Sequence, residues 1–347
     1  MGLPAKYGGF ETFVHFLVLH LAQEFAFTVY CSGPNYRERP RAFLGAQLTY
    51  LPFRANGPQS LLFDSLSILH ACLFADTLLV LGASGGFMLP LARLLGKKVV
   101  FNQGGLDWQR SKWSPGAQRL LKLLERLAIL GTTVLVSDNQ GIVDYFHEAY
   151  GRDSHLIEYG GDQISKPALT DAFLEQYPFA RKPYAFAVAR IQPDNNIEMI
   201  LEGFSLAPEH PLIFIGNWAG STFGVAIKRK YSGLPHIHLL EAIYDPEILN
   251  SFRGYCSVYV HGHSAGGTNP SLVEAMHLGL PVAAFDVVYN RATTEEKALY
   301  FKNAEGLASL IQGTPLETWG EQRAAMAEIA ERRYKWSVIV GKYSAIL

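Results

Sequence analysis

The stretch His261 to Met276, HGHSAGGTNPSLVEAM, sets glycines, a threonine, an asparagine and a proline directly ahead of an apolar, helix-forming run. SVYVHGH reads as a strand leaving a sheet, SAGGTN as a turn, and PSLVEAMHLG as a helix closed by Gly279. Pro270 suits the first helical turn, where its missing N–H costs nothing, and Asn269 suits the N-cap. Gly266 and Gly267 let main chain approach a ligand closely. Free N–H groups at the helix start, with the helix dipole behind them, favour a phosphate. Glu274 follows one turn later, within reach of a ribose hydroxyl pair. An ordinary loop leading into a capped helix would spell the same letters, so the stretch needs support from elsewhere in the chain.

Two further stretches offer it. In AVARIQPDNNIEMILEGF (187–204) a strand ends at Arg190, at the carboxyl edge where open α/β sheets bind ligands. Arginine suits bidentate phosphate contact, although this stretch alone reads more readily as a solvent-facing arginine paired with Asp194. Asn195 or Asn196 is expected to cap the following helix. In GLPAKYGGFETFV (2–14), Gly8 and Gly9 precede a helix whose first turn holds Glu11 and Thr12, a second helix start able to face a ligand. His261-Gly-His263 has the types for a metal, but histidines two apart at a strand end more often bind ligand or pack. No Asp-x-Asp occurs, so no metal and no cofactor are expected.

Elements able to position these residues alternate along the chain. Apolar β-rich runs at 27–31, 48–53, 77–82, 98–102, 133–138 and 155–159 are followed by a second series at 184–189, 212–216, 236–241, 257–262 and 281–286. Helical patterns separate them. Continuous apolar strands between helices predict parallel sheets covered on both faces, here twice over: an α/β chain of two doubly wound domains. The polar, proline-containing stretch at 160–183 separates the series. The boundary is placed near 165, giving domains 1–165 and 166–347, with the last helix expected to cross back to the first. A doubly wound domain opens with a strand before its first glycine turn, yet no apolar run precedes Gly8. Either translation begins upstream of Met1 or the first sheet lacks an inner strand, which would leave two unpaired edges.

With 347 residues and 49% hydrophobic content, two cores are readily built. A net charge of −1 gives no reason to expect nucleic acid. Three distant cysteines, Cys31, Cys72 and Cys256, are expected to be buried free thiols in a reducing compartment. The most apolar early stretch, FVHFLVLHLA, is half the roughly 20 residues a membrane span needs, so a cytoplasmic protein is expected.

Taken together, GLPAKYGGFETFV, NQGGLDWQRSKW (102–113), LVSDNQGIVDYF (135–146), IEYGGD (157–162), ARIQPDNNIEMIL (189–201), HGHSAGGTNPSLVEAM and YNRATTEEKALYF (289–301) resemble glycosyltransferase family 4, and within it the bacterial rhamnosyltransferase-like subgroup. The pieces run in the expected order over nearly the whole chain. The resemblance implies a GT-B fold, two Rossmann-like domains facing a cleft, and a nucleotide-diphosphate sugar as donor. By position, Arg190 matches the arginine on the donor diphosphate and Glu274 the glutamate on the ribose. Asn195 stands where many members have lysine, and Gly266 where many have a second glutamate near the sugar. By the same resemblance the amides of Gly267, Thr268 and Asn269 would face the phosphates, and Gly8 and Gly9 match the loop over the donor. His263 is a candidate contact to sugar or phosphate, and Asp107 and Glu11 are candidates for the acceptor base.

The expected activity is metal-independent transfer of a sugar, rhamnose being the subgroup's indication, to a surface polysaccharide or lipid-linked glycan. A non-catalytic nucleotide-sugar binder and a nucleotide-sugar epimerase on the same fold are the rival readings. Segment 108–130 adds an expectation of peripheral membrane contact. There Arg110, Lys112, Arg119, Lys122 and Arg126 face one Glu125, with Trp108 and Trp113 at the start. A core-packing helix with a solvated basic face is the alternative.

Overall fold

The computed structural model describes residues 2–6, 8–110 and 113–347, with Asp107 described in its backbone only. In chain order the elements are α1 Gly9–Leu21, β1 Thr28–Ser32, β2 Ala42–Phe43, β3 Ala46–Leu51, α2 Ser60–Ala71, β4 Thr77–Leu81, α3 Leu89–Leu94, β5 Lys98–Asn102, α4 Pro115–Gly131, β6 Val134–Ser137, α5 Gln140–Tyr150 and β7 His155–Leu156. They continue with α6 Asp171–Gln176, β8 Ala185–Val188, α7 Ile197–Ser205, β9 Leu212–Ile215, α8 Thr222–Tyr231, β10 Ile237–Leu240, α9 Pro246–Gly254, β11 Val258–His261, α10 Pro270–His277, β12 Val282–Phe285, α11 Val288–Thr293, β13 Leu299–Phe301, α12 Ala304–Gly313, α13 Leu316–Arg333 and α14 Trp336–Ser344.

The chain packs as two compact units. One comprises Met1–Gln109, Trp113–Tyr159 and Trp336–Leu347; the other comprises Arg110–Lys112 and Gly160–Lys335. The main chain thus leaves the first unit after Tyr159 and rejoins it at Trp336.

The second unit is built on one six-stranded sheet in the order β10-β9-β8-β11-β12-β13, parallel throughout. Alternate residues of its strands serve opposite cores, as the two-residue period of a strand requires. Phe186, Ile213, Ile215, Tyr259, Val282 and Ala284 pack with α10 and α13. Ala185, Ala187, Leu212, Phe214, Val258 and Val260 pack on the other face with α7 and α12. Every residue of β9 and β11 is buried.

The first unit has two sheets. β4-β5-β6-β7 is parallel. In β1-β3-β2, β1 runs parallel and β2 antiparallel to β3. No strand precedes α1 among the described residues, and β1 and β4 are each the terminal strand of a sheet. Val29, Tyr30, Leu79, Val80 and Leu81 on these strands are only half-buried. On one face of the four-stranded sheet, Val100 and Val136 pack beneath Phe13 and Leu17 of α1 and Trp336, Ile339, Val340 and Tyr343 of α14. α3 and α4 lie against β5. Cys31 and Cys256 are buried free thiols, as the sequence suggested, whereas Cys72 is only half-buried.

Candidate functional site

The strand order of the second unit, read from β8, runs outward to β9 and β10 on one side and to β11, β12 and β13 on the other. The order therefore reverses between β8 and β11, and the crevice beyond the carboxyl ends of these two strands is where such sheets take ligands. β8 ends at Val188, just before Arg190, and β11 ends at His261. The two stretches picked out in the sequence thus leave neighbouring central strands at the switch point.

They are tied together by a short hydrogen-bond chain. Asn195 Nδ2 donates to the Arg190 carbonyl at 2.6 Å, and Asn195 Oδ1 lies 2.6 Å from His263 Nδ1. Ser264 N and Oγ both donate to the Asp194 carbonyl, at 3.0 and 2.7 Å. Asn196 Nδ2 donates to the Gly262 carbonyl at 2.9 Å. The expected helix cap is not made: Asn196 occupies the N-cap position of α7 without a capping side-chain bond, at φ 50°, and Asn195 turns to His263 instead. Both side chains are spent in joining the two loops, which lie too close for a cap to compete.

The Asn195 amide, oriented by its donation to Arg190, presents its oxygen to His263. The imidazole Nδ1 must then carry the proton, leaving Nε2 as an acceptor. Burial and the guanidinium groups of Arg110 and Arg190, against the pull of Asp194, lower the His263 pKa to about 4, so the ring is neutral near pH 7. His261 is held well below the ordinary histidine value, first by burial and then by His263, and its Nε2 has no hydrogen-bond partner.

Gly266 has φ 138°, and a Cβ there would lie 2.8 Å from His263 Nε2. Both facts require glycine: an L side chain would be strained and would press on the imidazole. Gly267 and Thr268 are buried. Asn269 caps α10, as expected, its Oδ1 accepting from Ser271 N at 3.0 Å. Glu274 pairs with Arg253 at 2.9 Å and accepts from Gln163 at 3.0 Å, yet its side chain keeps 21% exposure. A carboxylate has about four lone-pair sites, so Glu274 retains capacity for a diol. Arg190 is exposed and forms no ion pair among the described residues, including with Asp194.

Arg253, Gln163 and Asn290 complete this neighbourhood and went unread in the sequence. Arg253 lies on α9, and Asn290 donates to the His263 and Phe285 carbonyls at 2.9 and 2.8 Å. Nothing local marks Arg253 or Gln163, and Asn290 is marked only by lying within the YNRATTEEKALYF stretch of the family resemblance.

In the first unit, Gly8 stands at the N-cap of α1 with φ 126°, followed by Gly9 at the first helical position. Glu11 is buried and accepts from Lys6 N at 2.9 Å. The Asp107 side chain and Lys112 lie outside the described residues. Among the described residues no group of three or more His, Cys, Asp or Glu is arranged to hold a metal ion. No helix of those residues is long and apolar enough to cross a membrane.

Comparison with known proteins completes the picture. Residues 1–162 match a domain of unknown function, DUF1972, and residues 171–333 match Glycosyl transferases group 1. No curated protein matches the chain. Among solved structures, sucrose-phosphate synthase from Thermosynechococcus elongatus superposes with a TM-score of 0.81 at 15% identity, over 98% of this chain and 92% of that one. Anabaena HepE in complex with UDP and glucose gives 0.75 at 14%, over 98% and 96%. A glycosyltransferase from Rickettsia africae gives 0.74 at 14%, over 99% and 95%. Residues 171–333 thus resemble the group 1 glycosyltransferase domain, and the chain as a whole has the GT-B fold of these structures.

Proposed function

We propose that the protein transfers a sugar from a nucleotide-diphosphate donor to a surface-polysaccharide or lipid-linked glycan acceptor, without a divalent metal. The observation that carries this reading is the joining of the Arg190 and His263 loops at the switch point of the second sheet, next to the capped start of α10. The HepE structures contain UDP, UDP with glucose, and UDP-glucose, which supports a nucleoside diphosphate as the ligand of this crevice.

Breaking a sugar–diphosphate bond places negative charge on the leaving oxygen. The Arg190 guanidinium and the amides of Gly267, Thr268 and Asn269 would carry that charge in place of a metal, and removing one such preorganised donor typically costs about 10²–10³ in rate. Glu274 would take the ribose hydroxyls. Neutral His263 would accept a hydrogen bond from a sugar hydroxyl through Nε2. Gly8 and Gly9 would close over the donor, and Glu11 and Asp107 remain the candidates for the acceptor base. Rhamnose is the first sugar to test, and contact of segment 108–130 with a membrane would bring the enzyme to a lipid-linked acceptor.

A thermal-shift panel of UDP, dTDP and GDP with their sugars tests the site. Arg190→Ala and Glu274→Gln are expected to abolish the shift given by the best nucleotide; glutamine is chosen because alanine would strip buried Arg253 of its partner. An unchanged shift in both variants moves the site elsewhere. Turnover with a glycan acceptor should survive EDTA. Donor binding without turnover on any acceptor would favour a non-catalytic binder, and interconversion of donor sugars without acceptor would favour an epimerase.

A further inference from the structure

A surface helix normally turns its apolar stripe inward and a polar face to solvent. α2 is apolar on both sides. Phe63, Ile68 and Ala71 are buried, while Leu62, Leu66 and Leu69 recur at helical spacing along the opposite face and are exposed, as is Leu73 just past the helix, at 80%. α3 and its C-terminal residue repeat the pattern with exposed Leu91, Leu94 and Leu95, Leu94 at 84%. On α4, exposed Leu120, Leu123 and Leu130 do the same.

The three helices are neighbours within the first unit. A Cβ on Gly131 at the end of α4 would strike Leu89 and Pro90 of α3 at 2.2–2.6 Å. One on Gly86, just before α3, would meet Leu124 and Ala128 of α4, and one on Gly85 would meet Ile68 and Asp64 of α2. The exposed leucines therefore belong to one layer.

Its charge is one-sided. Arg93, Arg119 and Arg126 are exposed, and Arg119 and Arg126 form no ion pair among the described residues. The acids of these helices are withdrawn: Glu125 is fully buried, and Asp64 accepts from Ser84. Exposed Asp76, beyond the end of α2, is the exception, and exposed acids resume on α5. Lys122, counted in the sequence as part of a basic face, turns onto Trp108, Tyr145 and Glu125.

We propose that the α2–α3–α4 face docks on an anionic lipid bilayer, its leucines entering the headgroup boundary and its arginines contacting lipid phosphates. Apolar side chains interspersed with unpaired cations match such a surface, whereas a water-facing layer gains nothing from exposed leucine. The inference uses the first unit alone. It deepens the membrane contact of segment 108–130 in the proposed function, extending it to α2 and α3. The nucleotide reading rests on the second unit, so vesicle binding and the nucleotide thermal shift can fail independently.

The test is co-sedimentation of the full chain with sucrose-loaded vesicles, of phosphatidylcholine alone or with phosphatidylglycerol, at low and high salt. Binding is expected only with phosphatidylglycerol, and should weaken sharply as salt screens it. Arg119→Ala with Arg126→Ala should lower partition about thirtyfold, and Leu73→Ser with Leu94→Ser about tenfold, with far-UV circular dichroism unchanged. No pelleting of wild type with anionic vesicles at low salt would overturn the proposal. So would vesicle binding that neither double variant weakens. Equally, a stable dimer in size exclusion, lost in the leucine variant and accompanied by no lipid binding, would assign the face to a second copy of the chain.

Discussion

At His263 a tautomer and a charge state follow from neighbours on two loops. Asn195 fixes the proton on Nδ1, while burial with Arg110 and Arg190 holds the pKa at about 4. In the unfolded chain histidine titrates near 6.5. Between pH 6.5 and about 4 the unfolded state therefore binds the additional proton. Stability rises with pH across that window: the contribution is full above 6.5 and is lost as pH falls toward 4. His261 acts in the same direction. Denaturant unfolding measured from pH 7.5 down to 4.5 should show a loss of roughly 2–3 kcal/mol attributable to His263, and His263→Gln should flatten that part of the profile. A wild-type profile already flat there would mean the imidazole is protonated in the folded state.

At the scale of elements, one carboxylate holds the helices of the first unit in register. Glu125, fully buried on α4, accepts from Gln103 Nε2 at 2.5 Å, from Trp108 Nε1 at 3.1 Å, and from the hydroxyls of Tyr145 and Tyr150 on α5 at 2.5 and 2.6 Å. Lys122 supplies the countercharge at 3.0 Å. The β5 loop, α4 and α5 thus meet at a single residue. Lys122 is 37% exposed and can resolvate, but each buried donor left without this carboxylate costs about 1–3 kcal/mol, more than a surface ion pair contributes. Glu125→Ala is accordingly expected to lower the urea midpoint by at least one such equivalent, and Tyr150→Phe by about 1 kcal/mol. If Glu125→Ala proved neutral, the packing of α4 on α5 rather than this hub would be what fixes them.

At the scale of the molecule, the last element belongs to the first unit. Trp336, Ile339, Val340 and Tyr343 of α14 are buried against Phe13, Leu17, Val100 and Val136. Trp336 stacks on Phe16 with centroids 4.4 Å apart, and Tyr343 accepts from Asn102 at 2.7 Å. Lys342 pairs with buried Glu158 at 2.7 Å. Burying one large apolar side chain is worth about 1.5–3 kcal/mol, so four approach the whole stability of a typical domain, about 5–15 kcal/mol. A chain ending at Lys335 is therefore expected to lose the cooperative unfolding of its first unit and to aggregate, while residues 160–335 keep their own core. Soluble, cooperatively folded 1–335 would show that α14 only decorates the unit.

Much of this was legible from the letters alone. Strands, helices and the loops that follow β8 and β11 are written in periods of two and 3.6 residues, which are local properties of the chain. The Asn269 cap and the glycine at 266 are equally local, since a cap and a positive φ depend on a few successive residues. Two strands escaped: β2 and β13 have two and three residues, too short for a period to register. The tertiary structure alone decided what meets what. Only the sheet order sets the Arg190 loop beside the His263 loop, turning two asparagines from expected helix caps into bridges. Only packing gives Glu274 its Arg253, draws Lys122 inward onto aromatic rings, and leaves the leucines of α2, α3 and α4 together on one open face. Such pairings are made by distant stretches of chain brought to within 3 Å, and no pattern confined to one stretch encodes its partner.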